Sequence, residues 1–103
     1  MTRITIAEAV RDLIFERAKE EGRDPFNHYI WQGDPDFLQT AYIRARGLSN
    51  HSHPLNDMDA VMAAVRRSPL FERSGTLMAH SRVGQPKEVR YVLYRLRRQS
   101  GGF

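Results

Sequence analysis

Between His80 and Arg98 the chain reads "HSRVGQPKEVRYVLYRLRR", with six basic residues, Arg82, Lys87, Arg90, Arg95, Arg97 and Arg98, against one acid, Glu88. Guanidinium groups donate in a planar fork that matches phosphate and carboxylate oxygens, so this stretch has the chemistry of a polyanion contact. It also alternates apolar residues, which is the pattern of a strand half-buried against a core. In an extended strand Val89, Tyr91 and Leu93 point one way and Arg90, Val92, Tyr94 and Leu96 the other. The centre of the strand is therefore expected in the core, while Arg82, Lys87 and Arg90 flank the turn and can reach phosphate. The competing reading is a solvated basic edge that discourages strand-to-strand pairing.

The charge is unevenly spread. Residues 1–51 hold seven Lys/Arg and eight Asp/Glu, a balance of −1, whereas residues 52–103 hold nine and four, a balance of +5. Arginine outnumbers lysine fourteen to two. Beyond the hairpin, Arg66, Arg67 and Arg73 bracket "SPLF", either as cations suited to a helix C-terminus or as contacts to a nucleic-acid backbone. Arg44 and Arg46 stand in the same position at the end of an earlier helix.

Other constellations carry less. "NHSHP" spaces His51 and His53 as a metal chelate would need, with His28, His80 or Asp57 as a third ligand. No local third ligand or glutamate-bearing helix motif accompanies them, so a polar loop is expected and no metal is assigned. Phe26, Tyr29, Trp31 and Phe37 could stack single-stranded bases or simply fill a small core, with Tyr29 the member expected to be exposed. There is no cysteine, no glycine-rich phosphate loop and no glycine-flanked serine. No catalytic residue, cofactor or enzymatic activity is expected on those grounds.

The elements that must position these groups are legible in part. With 103 residues, 41% hydrophobic and 27% charged, the chain fits one α+β domain spanning 1–103 with a modest core. Residues 98–103 are expected to fray. The stretch "MTRITIAEAV" meets charge almost at once and lacks the apolar run a secretion signal needs, and the longest apolar run, "AVMAAV", is too short to span a bilayer. A cytoplasmic protein with no membrane contact is expected.

Thr5 and Glu8 form a capping box for a first helix over about 5–21 that Gly22 stops. "HYIWQ" predicts a short first strand. Asp34 as N-cap with Pro35 at the first helical position starts a second helix, which Gly47 ends. "LSNHSHPLN" reads as a loop, and Asn56 caps a third helix. Met58, Val61, Met62 and Val65 form its apolar face, and Ala60, Ala63, Ala64 and Arg67 lie opposite, small enough for a close approach. Ser68-Pro69 ends it. "TLMAHSR", a turn at "VGQPK" and "EVRYVLYRLR" then predict a C-terminal β-hairpin.

The order helix, short strand, helix, helix, strand, turn, strand is carried by "DFLQTAYIRARG", "DMDAVMAAVRRSPLFERSG" and the closing hairpin. In that order the chain resembles the winged helix-turn-helix superfamily over about residues 4–98. The resemblance implies a winged-helix-like fold and double-stranded DNA as partner, bound by a small regulator or accessory factor. The third helix (Ala60, Ala63, Ala64, Arg67) would face the groove, with Arg66 and Arg67 clamping the backbone beside it, and Arg82, Lys87 and Arg90 would form the wing contact. Arg44, Arg46 and Arg73 complete the expected backbone contacts. Either a monomer or a homodimer is compatible, since operators are often two-fold.

Two features oppose this. The link from Leu48 to Leu55 is longer than a compact helix-turn-helix needs, and Asp57 and Asp59 would repel phosphates unless turned aside. A module that docks on a partner protein, such as a phage-type accessory inhibitor, is the alternative, and RNA binding is a third.

Overall fold

A computed structural model describes residues 4–47, 54–81 and 87–98, with side chains for all of these except 54–56, 79–81 and 87. Three helices precede one antiparallel two-stranded sheet, an α+β arrangement. Helix α1 spans Ile6–Glu21, a single 3-10 turn spans Pro25–Asn27, and α2 spans Pro35–Arg46. Helix α3 spans Pro54–Arg67, and strands β1 and β2 span Phe71–Ser81 and Lys87–Leu96. Among the described residues no helix is long and apolar enough to cross a membrane.

The capping box of α1 forms as its sequence demands. The Glu8 amide donates to the Thr5 hydroxyl at 3.1 Å, and the Thr5 amide donates back to the Glu8 carboxylate at 3.0 Å. Those bonds to the charged form hold the Glu8 carboxyl below the ordinary range. At the other end Gly22 adopts a left-handed φ of 67°, which lets its amide turn back to the Ala18 carbonyl.

Two helix starts differ from their sequence signals. Asp34 flanks α2 as expected, but its side chain makes no capping hydrogen bond. Its ψ of 69° departs from the extended geometry that aims a cap side chain at the second and third amides of the helix. Helix α3 begins at Pro54, so Asn56 lies inside it and not at its cap. Proline has a helical φ built in and no amide to leave unpaired, so it suits a first turn. Residues 48–53, the rest of the expected loop, lie outside the described residues, as do residues 82–86 of the hairpin turn.

The predicted strand at "HYIWQ" contracts to a single bridge. Ile30 pairs with Tyr94 alone, its amide donating to the Tyr94 carbonyl at 2.7 Å and its carbonyl accepting from the Tyr94 amide at 3.0 Å. The 3-10 turn precedes it, and a turn closed by the Asp34 amide on the Trp31 carbonyl follows, so little of the segment is free to run alongside β2. Beyond the end of β2 the Arg98 guanidinium donates to Asp24 at 2.7 Å and lies 4.8 Å from the centre of the Phe26 ring. Residues 99–103 lie outside the described residues.

The core is the meeting of one face from each helix with the base of the hairpin. Val10, Leu13 and Ile14 of α1, Phe37, Leu38 and Ala41 of α2, and Met58, Val61 and Val65 of α3 close on Ile30, Phe71 and Leu96. The i, i+3, i+4, i+7 spacing read from α3 is the spacing that turns these side chains inward.

Strand β1 pairs with β2 from Phe71 opposite Leu96 to Ser81 opposite Lys87, with a register shift between Arg73 and Gly75. The extra residue, Ser74, changes which face the rest of β1 presents. Away from the base, Leu77 and Met78 are 40% and 51% exposed, so the outer part of the hairpin is an arm and not core.

Candidate nucleic-acid interface

The third helix and the second strand face one another across an open cleft of about 480 Å³. Asp59, Met62, Ala63 and Arg66 line it from α3, Arg90, Tyr91, Val92 and Tyr94 line it from β2, and Gln32 closes one end. Helix α3 can present this row because its buried stripe leaves Ala63 only half-buried and Arg66 exposed. Strand β2 is paired with the helical body at the Ile30–Tyr94 bridge, and strand alternation puts Arg90 and Val92 on the same side of the strand as Tyr94.

Gln32 arrives by the same route. Its side-chain amide donates to the Asp59 carboxylate at 2.7 Å, tying the segment before α2 to the first half of α3. Trp31, beside it, meets the Tyr91 ring edge-on, with ring centres 5.4 Å apart and planes at 75°. Gly33 lies directly under the Trp31 ring, where even a β-carbon would collide with the indole. Gln32 was not among the residues singled out from the sequence, and Met62, expected on the apolar face of α3, packs against the core and also lines the cleft. No local signal marks Gln32, because its place depends on a bridge to a residue sixty-odd positions away.

Of the expected contact residues, Ala63, Arg66 and Arg90 are brought together. Ala60 is half-buried on α3, and Arg73 is exposed on β1 opposite Tyr94. Lys87 opens β2, its side chain outside the described residues, as is the whole of Arg82. The other three arginines lie elsewhere. Arg44 is committed to Glu16 of α1 through two contacts, which raises its own pKa and keeps the Glu16 carboxyl below the ordinary range. Arg46 and Arg67 line a groove on another part of the surface, beside the start of α1. Arg66 and Arg67 are adjacent in sequence, yet a helix turns about 100° per residue and sends them to different sides.

The aromatic set divides. Phe37 is fully buried, Phe26 and Trp31 are half-buried, and Tyr29 is 47% exposed, as its sequence position suggested. Among the described residues no group of three or more His, Cys, Asp or Glu side chains gathers as a metal site would require. His51 and His53 lie outside the described residues.

His28 packs its ring against Phe37 at 4.7 Å between ring centres, with Nε2 buried and without a hydrogen-bond partner. Burial disfavours the imidazolium and lowers the His28 pKa from its ordinary 6.5, against a partial opposing pull from Asp34. The folded state thus prefers neutral His28. Its contribution to stability is complete above pH 6.5 and is lost as the pH falls from there through the lowered folded value. Urea denaturation at about pH 7.5 and about pH 5.5 should show a drop in midpoint that His28→Phe reduces. An equal drop in the variant would assign the effect to other groups.

No family model matches the chain, and neither a curated protein nor a solved structure does.

Proposed function

We propose that this protein binds double-stranded DNA, as a small regulator or accessory factor, with α3 and the β-hairpin acting in the manner of a winged helix. The observation that carries the reading is the convergence of Arg66 and Arg90 on one open cleft beside the small side chain of Ala63. A groove-entering helix needs short side chains where it approaches the bases and cations where it meets the backbone. Arg73, exposed on β1 opposite Tyr94, adds to the positive chemistry, and Arg82 and Lys87 remain the wing contacts expected from the sequence. The bond from Gln32 gives Asp59 a protein partner, which lessens the objection that its carboxylate must point at phosphate. The contribution of Arg44, Arg46 and Arg67 is withdrawn from this interface, since one is paired with Glu16 and the other two line another groove.

Fluorescence anisotropy with a labelled duplex should give an affinity that falls steeply with salt, each phosphate contact adding about 0.9 to the slope. Arg66→Ala with Arg90→Ala should reduce that slope by about 2, and Arg66→Glu with Arg90→Glu should weaken binding on the order of tenfold or more. No detectable duplex binding at low salt would sink the reading, because even non-specific basic proteins associate there.

A further inference from the structure

A second groove, sharing no lining residue with the α3–β2 cleft, runs across the junction of α1, the α3–β1 connection and the end of β2. It consists of two adjoining pockets, of about 530 and 580 Å³, that have Arg11, Pro69 and Leu70 in common. We propose that this groove binds an extended acidic segment of a partner protein, one that alternates carboxylates with apolar anchor residues.

Its walls fit that chemistry. Arg11, Arg46, Arg67, Arg97 and Arg98 all line it, while Glu8 is the one acid that does. The Glu8 carboxylate is already occupied by the Thr5 amide. Arg11 is paired with Asp12, and Arg98 with Asp24. Among the described residues no ion pair engages Arg46, Arg67 or Arg97. The groove therefore keeps a surplus of positive charge.

Between those cations the floor is apolar. Ile6, Phe15, Leu70 and Leu96 contribute to it, and Phe15 is 43% exposed although it belongs to a helix with a well-packed inner face. An apolar floor under a cationic rim matches a chain carrying leucine or phenylalanine between glutamates or aspartates, since anchors fill the floor and rim charges steer and orient the partner.

A nucleic-acid strand fits less well. Stacking of successive bases needs a series of open ring faces, but Arg98 lies over Phe26, Phe26 meets Phe15 edge-to-face at 6.0 Å and 87°, and Phe15 is the one lining ring left substantially exposed. What is left is mostly aliphatic. The role assigned here does not depend on duplex binding by the α3–β2 cleft, so either can fail without the other.

The test uses the full chain and a short fluorescein-labelled peptide of alternating glutamate and leucine, read by anisotropy. The peptide should bind, and the same peptide with glutamine for glutamate should bind far more weakly. Arg67→Glu with Arg97→Glu should weaken the acidic peptide at least about tenfold, while Arg66→Glu with Arg90→Glu leaves it unchanged. Both groove arginines are exposed, so the fold should survive, as an unchanged thermal midpoint would show. Phe15→Ala is the second variant, altering the floor without a charge change, and should weaken the peptide severalfold. No binding by the acidic peptide, equal binding by the glutamine peptide, or loss on changing Arg66 and Arg90 would each overturn the proposal. So would a single-stranded oligonucleotide that displaces the peptide and is itself lost with Arg67 and Arg97, which would make the groove a nucleic-acid site.

Discussion

Replacing Phe37 with alanine is expected to destabilise the protein by about 3–5 kcal/mol, the range seen for truncating a fully buried phenylalanine. Phe37 is completely inaccessible to solvent and is the largest of the side chains so enclosed. It sits in α2 where the helix meets the core, with the His28 ring 4.7 Å away and the Arg17 guanidinium 5.3 Å from its centre. Removing the ring leaves a cavity that rigid helix packing cannot fully collapse, and it strips both groups of their partner. A domain of this size has a total stability of about 5–15 kcal/mol, so a large share would be lost. The thermal midpoint should fall by at least about 12 °C. Phe37→Leu, which refills most of the volume, should lose less. A fall of only a few degrees for the alanine variant would mean that the core is not built around this ring.

The second large effect concerns the link between the hairpin and the helices. Ile30→Ala should cost about 2–5 kcal/mol, because Ile30 is fully buried in the main core. The consequence differs from that of Phe37. Among the described residues Ile30 is also the single one whose backbone bonds to β2 from outside the hairpin, through the paired hydrogen bonds to Tyr94. A cavity at Ile30 should loosen that pairing, so amide exchange at Tyr94 should accelerate more than exchange within α1. If duplex binding depends on how β2 is set against α3, the variant should lose affinity under conditions where it remains folded. Unaltered exchange at Tyr94 would show that the hairpin is held by its base, Phe71 and Leu96, without help from the bridge.

Local patterns in the sequence account for much of this architecture. The Thr5–Glu8 box and Gly22 delimit α1, Pro35 and Gly47 delimit α2, and the spacing of Met58, Val61 and Val65 names the buried face of α3. These signals act within one or two turns of chain, where backbone geometry and nearest neighbours decide the outcome. The same local logic misplaced the start of α3 at Asn56 and lengthened the Ile30 bridge into a strand. In both cases a residue type was read correctly but its neighbours (a proline two positions earlier, a tight turn immediately after) governed how far the element ran.

Which side chains meet is another matter. The sequence by itself determined that the chain is α+β, that its second half is basic, and that a hairpin follows three helices. Tertiary structure alone decided that Arg66 joins Arg90 in one cleft, that its neighbour Arg67 joins Arg11 and Arg46 in another, and that Arg44 is spent on Glu16. The reason is physical. Helical and extended periodicity are properties of adjacent residues, whereas the direction in which an exposed guanidinium finally points depends on how the helices and the hairpin pack, and that is set by contacts between residues far apart along the chain.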